Sequence, residues 1–165
     1  MKNSVTIVLI FACFNIAYTQ PEHKSENLSS ISIGYIYNSW DNATKDYHIA
    51  ELEYVQTKYE SGQHYFAFSK YAGIEVGINT DKFTLGSKIG TSINYGPIIF
   101  GIELTTYTDF NDATLRIAPI FGFGNHKYNI SLVPQIRILN RDFLPTNQGQ
   151  LNLAIRIFDL KKEEY

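Results

Sequence analysis

From Leu28 onward, apolar and polar residues alternate one by one in runs separated by turn chemistry, the period of a strand with two unlike faces. Eight runs are predicted as strands: Leu28–Tyr37, Tyr47–Lys58, His64–Ile78, Lys82–Asn94, Ile98–Thr108, Ala113–Phe123, Lys127–Leu139 and Gln150–Phe158. The last is the plainest, with Leu151, Leu153, Ile155 and Ile157 on one face and Asn152, Ala154 and Arg156 on the other. The connections alternate in kind. Ser61-Gly62-Gln63, Tyr95-Gly96-Pro97 and Gly124-Asn125-His126 read as tight turns, whereas Asn38 to Asp46 and Asn140 to Gly149 are longer polar loops. Asn79-Thr80-Asp81 and Asp109 to Asp112 are the short connections on the loop side. No linker interrupts the runs, which predicts one all-β domain, an eight-stranded antiparallel up-and-down barrel. Pro119 and Pro134 each remove a ladder donor inside adjacent strands and predict a local bulge or kink.

Alternation leaves open which face points inward. An apolar interior would make a lipocalin-like barrel, soluble or lipid-anchored, binding a small apolar ligand; an apolar exterior would make a transmembrane β-barrel with a polar lumen. Gly34, Gly73, Gly77, Gly86, Gly90, Gly101 and Gly122 all fall on the polar face. Small residues there suit the inside of an eight-stranded barrel, which is just wide enough for side chains. The same face carries Glu51, Glu53, Glu75 and Glu103 together with Lys88, Arg116, Arg137 and Arg156. Four acids and four bases can pair across a narrow lumen, offsetting the heavy cost of unpaired buried charge. The expectation is therefore a transmembrane barrel whose lumen is closed by an acid-base network. Tyr35, Tyr37, Tyr54, Tyr95, Tyr107, Tyr128 and Phe158 lie near strand ends and predict an aromatic girdle.

Composition agrees with strands. Twelve Tyr and eleven Phe stand against one Met and one Trp, and aromatic rings suit a pleated surface. A net charge of -2, with no basic cluster longer than Lys161-Lys162, argues against a nucleic-acid partner. At the N-terminus Lys2 precedes the apolar run Val5 to Phe14, and Ala17-Tyr18-Thr19 supplies small residues for signal-peptidase cleavage before Gln20. Residues 1–19 are thus expected to be a signal peptide and 20–165 the barrel domain. The run is far short of the roughly 20 residues a membrane helix needs. A second reading takes Ile10-Phe11-Ala12-Cys13 as a lipobox with Cys13 lipidated; either way the chain is exported. Cys13 is the only cysteine, which excludes a disulfide framework.

Chemistry-bearing motifs are sparse. His23, His48, His64 and His126 are scattered without ligand spacing, so no metal site is expected, and no phosphate or dinucleotide fingerprint calls for a cofactor. His48, beside the first long loop, is the one candidate base and Ser39 a conceivable nucleophile for an outer-membrane lipid-modifying enzyme. Nothing in the sequence places them within reach of each other, and no enzymatic role is expected. Trp40, Asp41, Asp109, Phe110, Arg141 and Phe143 are polar-aromatic loop tips and the candidate surface contacts.

With its leader, the strand end Tyr107-Thr108-Asp109-Phe110 and the run Leu115-Arg116-Ile117-Ala118-Pro119-Ile120-Phe121-Gly122-Phe123-Gly124, the chain resembles small outer-membrane β-barrel proteins of the Bacteroidetes type. In general architecture it also looks like the OmpA/OmpX class. The resemblance implies a monomer in the cell outer membrane, in contact with outer-membrane lipid and inserted by barrel-assembly machinery. Any specific partner would be an extracellular ligand met by the loops. The chain departs from such barrels in one place: they usually end on an aromatic strand residue, whereas Asp159 to Glu164 follow Phe158 here.

Overall fold

The computed structural model describes residues 24–39, 45–61 and 65–164. The leader and its processing site, and the loop-tip residues Trp40 and Asp41, lie outside the described residues. Each alternating run forms a strand paired with its sequence neighbours: β1 (Lys24–Ser39), β2 (Tyr47–Ser61), β3 (Phe66–Gly77), β4 (Leu85–Tyr95), β5 (Ile98–Thr108), β6 (Ala113–Gly124), β7 (Tyr128–Pro134), β8 (Ile136–Leu139) and β9 (Gly149–Glu164). β7 and β8 lie end to end along β6, so the nine segments make eight staves. β9 closes on β1, and the result is an eight-stranded antiparallel closed barrel.

The break between β7 and β8 falls where the prolines place it. Pairing of β6 with β7 ends at Phe121↔Leu132 and resumes with β8 at Ile117↔Ile136, in unchanged register. Between them the ladder opens around Pro119 and Pro134, neither of which has an N–H to contribute. On the other side the pairing runs on in register: the Gln135 N–H donates to the Gln148 carbonyl at 2.6 Å, one step beyond Pro134↔Gly149, and its side chain points inward with Ser131 and Val133. The loop 140–148 is thereby drawn against the barrel.

β9 runs past its predicted end because Asn27 and Glu26 pair with Glu163 and Glu164. In this extension the β1 register shifts twice, leaving Ile157 and Leu160 as extra residues of two bulges. Among the described residues its ladder to β7 stops at Ile155. Bulges and the adjacent Lys161-Lys162 are the usual protection of a strand edge.

The faces resolve as apolar outside and polar inside. Ile33, Leu52, Ile74, Ile89, Phe100, Ile102, Leu132 and Ile155 are exposed, whereas Glu51, Glu75, Lys88, Glu103 and Arg116 are buried. Glycines make the interior possible: a Cβ on Gly86 would stand 2.8 Å from Tyr107 Cε1, and one on Gly90 would run into the Tyr71 ring. The lumen also holds two small apolar clusters, Ile36 with Ile49 and Tyr107, and Ala118 with Ile120 and Val133. Tyr107 corrects the girdle expected from the sequence. It shares the parity of Glu103 and Thr105 on β5 and points into the lumen, only 1% exposed, while Tyr35, Tyr54, Tyr95, Tyr128 and Phe158 stay on the outside.

Candidate functional site

The inward face of consecutive strands assembles two polar nodes stacked along the barrel. In the first, Lys88 of β4 reaches four carboxylates. Its Nζ lies 2.5 Å from Glu51 Oε2, 2.9 Å from Glu53 Oε1, 3.6 Å from Glu75 Oε1 and 3.9 Å from Glu103 Oε2. Neutral donors share the load: Tyr107 OH donates to Glu75 at 2.5 Å, Tyr71 OH to Glu103 at 3.0 Å, and Asn152 Nδ2 to Glu51 at 3.0 Å. The Lys88 ammonium also lies 5.5 Å from the Tyr71 ring centroid.

The second node is built on Arg116 of β6, which is fully buried. Its Nη1 donates to Gln135 Oε1 at 2.8 Å, Thr146 Oγ1 at 2.9 Å and the Asn147 carbonyl at 3.0 Å, and its Nη2 to the Thr146 carbonyl at 3.1 Å. The guanidinium sits 5.0 Å over the Tyr107 ring. Asn38 completes the clamp: its Oδ1 accepts from Asn147 N at 2.6 Å, and its Nδ2 donates to the carbonyls of Asn147 and Gly149 at 3.2 Å. The loop 140–148 is thus folded into the barrel mouth as a plug. Tyr107 links the nodes, accepting from Gln150 at 2.6 Å while donating to Glu75.

Of the four bases on the inward face, Lys88 stands among the glutamates at ion-pair distance. Arg116 is taken up by the plug, Arg137 lies half-buried on β8 opposite it, and Arg156 pairs with Asp159 at 3.2 Å near the turn end. At that end His126 stacks on Tyr59 at 5.0 Å and accepts or donates at Nδ1 with Tyr65 OH at 2.9 Å. Burial, then the nearby Arg156 and Lys127, lower its pKa. Between this end and the Lys88 node lies a polar cavity of about 80 Å³, lined among others by Ser30, Ser69, Asn94 and Ser131. It has room for a few waters.

The described loop tips, Asp109, Phe110, Arg141 and Phe143, do not gather into one group. Asp109 is buried as the hub of its own turn, accepting from Asn111 N at 3.1 Å, Asp112 N at 2.8 Å and Lys82 Nζ at 3.0 Å. These donors, the Asp112 amide foremost, hold its carboxyl down at about 2. The turn forces Phe110 to φ +70°, and its exposed ring stacks on Phe83 at 5.8 Å. Arg141 is exposed. Phe143 is half-buried and, with Leu144 and Pro145, walls a second cavity of about 250 Å³ at the loop end. His48 is engaged by its own sheet neighbours, bonding Tyr35 OH through Nδ1 and stacking on that ring at 5.8 Å.

Sequence reading missed Tyr71 and Tyr107, although their period-two spacing to Gly73 and Thr105 marks them as inward. Alternation along the seventh run, Lys127–Leu139, puts Gln135 on the polar face, and it is buried; Asn38, Thr146 and Asn147 were invisible, because they act through a loop that alternation does not describe. Fold and site together define a closed eight-stranded barrel with a plugged, polar interior and an apolar exterior. No protein-family model, curated protein or solved structure matches the chain.

Proposed function

We propose that the chain is an integral outer-membrane β-barrel, exported by its leader, non-enzymatic and monomeric, with a closed lumen and a structural or surface-interaction role carried by its outer loops. The observation that supports this reading best is the inversion of the usual burial rule. Large apolar side chains ring the outside at 40% exposure and more, while Glu75, Lys88 and Arg116 are at 3% or less inside. In water such an apolar surface would be a liability far larger than the patches monomers normally carry; in a bilayer it is the lipid contact. Exposed Phe66, Tyr95, Phe123 and Tyr128 at the turn end and Phe83 and Phe110 at the loop end suit the two headgroup levels. The arrangement is that of the OmpA/OmpX class, with short turns toward the periplasm. A lipocalin-like container would need an apolar chamber of about 300 Å³ or more, and the polar lumen cavity of about 80 Å³ gives no support to it.

The test is fractionation of cells expressing the full chain. The protein is expected to pellet with membranes and to stay there through alkaline washing. Recovery in the soluble fraction would end the membrane reading.

A further inference from the structure

We propose that the cavity at the loop end is a binding site for a neutral saccharide; this rests on the reading above that the loop end faces out of the cell. Three connections, 78–84, 109–112 and 140–148, and the first residue of β2 line it, and the lining is of two kinds. Phe143, Leu144 and Pro145 of the plug loop form an apolar wall. The rest of the lining is polar: Tyr47, Asp81, Lys82, Thr84 and the buried Asp109.

The polar wall is already neutralised. Lys45 bonds Asp81 at 2.8 Å, Tyr47 OH donates to the other oxygen of Asp81 at 2.8 Å, and Lys82 bonds Asp109 at 3.0 Å. Both carboxyls are held below their ordinary values by these donors and the Asp109 turn amides, and the Lys82 ammonium is raised, so the pairs stay ionised near neutrality. An ionic ligand would have to displace a partner from one of these bridges. A purely apolar ligand would strip water from the charged wall without replacing its hydrogen bonds. A sugar ring meets both walls: its hydroxyls bond the spare lone pairs of Asp81 and the Tyr47 hydroxyl, and its C–H face packs on the Phe143 ring, whose negative face attracts it. A cavity of about 250 Å³ holds a single sugar ring rather than a lipid tail. The same loop is pinned by Arg116 and Asn38, so the apolar wall is set before the ligand arrives.

The experiment is saturation-transfer NMR on the full-length, detergent-solubilised barrel, with maltose, N,N′-diacetylchitobiose and galactobiose as probes and inorganic phosphate as the ionic competitor. Unboiled gel mobility first shows that each sample is folded, and membrane fractionation is scored separately, so loss of the saccharide leaves the membrane reading standing. Transfer to ring C–H protons of at least one disaccharide is expected, undisturbed by phosphate. It should be lost in Phe143→Ala and in Asp81→Asn and kept in Phe123→Ala, an exposed ring at the opposite end. Phe143→Leu keeps the loop packed without a flat ring, and should also lose the signal. Absence of transfer from the folded protein to every probe, competition by phosphate, or transfer unchanged in both Phe143 variants would overturn the proposal.

Discussion

Lys88 and Arg116 point into the same lumen yet hold different things, one a set of carboxylates and the other the carbonyls of a loop. Removing Lys88 leaves four glutamates facing one another without their cation. Lys88→Met is expected to lower unfolding free energy by about 3–5 kcal/mol, the cost typical of orphaning buried charge, measured by guanidinium unfolding of the detergent-solubilised barrel. A loss under about 1 kcal/mol would mean that Lys88 does not hold the glutamates together. Asp109 makes a pH prediction. Its folded value of about 2 lies below the unfolded value of about 3.9, so its stabilising effect is present above pH about 4 and is lost as pH falls through about 2. The protection of the Asn111 and Asp112 amides, taken relative to unprotected exchange at the same pH, should fall over that window, and protection unchanged down to pH about 2 would contradict the assignment. At this scale parity along a strand, which is local, told that the glutamates and Lys88 and Arg116 point inward, while Tyr107 was lost to the girdle because its ring suits either face. It could not tell which base meets which acid. That depends on the height of each residue along a sheet closed on itself, as Arg156 beside Asp159 shows.

The elements were legible because strict alternation bounded by Gly, Pro and Asn leaves little freedom in a strand. The exceptions share a cause in pairing beyond nearest neighbours. β9 lengthens because β1 continues beside it, and the seventh stave breaks because Pro119 and Pro134 face the same stretch of ladder. Beyond Pro134 the β9 side of the stave stays bonded, Gln135 to Gln148, and Arg116 finishes the latch. Arg116→Met should leave the strands paired but release the plug, so that the already exposed Arg141 sits in a loop no longer held at both Thr146 and Asn147 and able to unfold into a protease cleft. Trypsin applied to the folded protein should then cut after Arg141 much faster than in the wild type. Equal cleavage rates would mean that the loop is held by other contacts, the Asn38 clamp first among them.

As a whole the molecule turns its apolar side outward, and the test of that reading is a charge placed on the outer wall. Ile102 is half exposed at the middle of β5. In a bilayer Ile102→Arg should cost about 2–4 kcal/mol and reduce the membrane-inserted fraction; on a water-exposed wall the same substitution would be harmless. The direction of the faces was readable from glycines on the polar face, where the structure finds Tyr71 and Tyr107 filling the space they leave. The plugged mouth was not readable, since it arises from a loop bonded at once to Asn38 of β1, Arg116 of β6 and Gln135 of the seventh stave. The most direct measurement of the central claim is the gel mobility of the washed membrane fraction with and without boiling. A closed transmembrane barrel gives a compact band that shifts on heating; a protein absent from that fraction, or one with a single mobility before and after boiling, would contradict it.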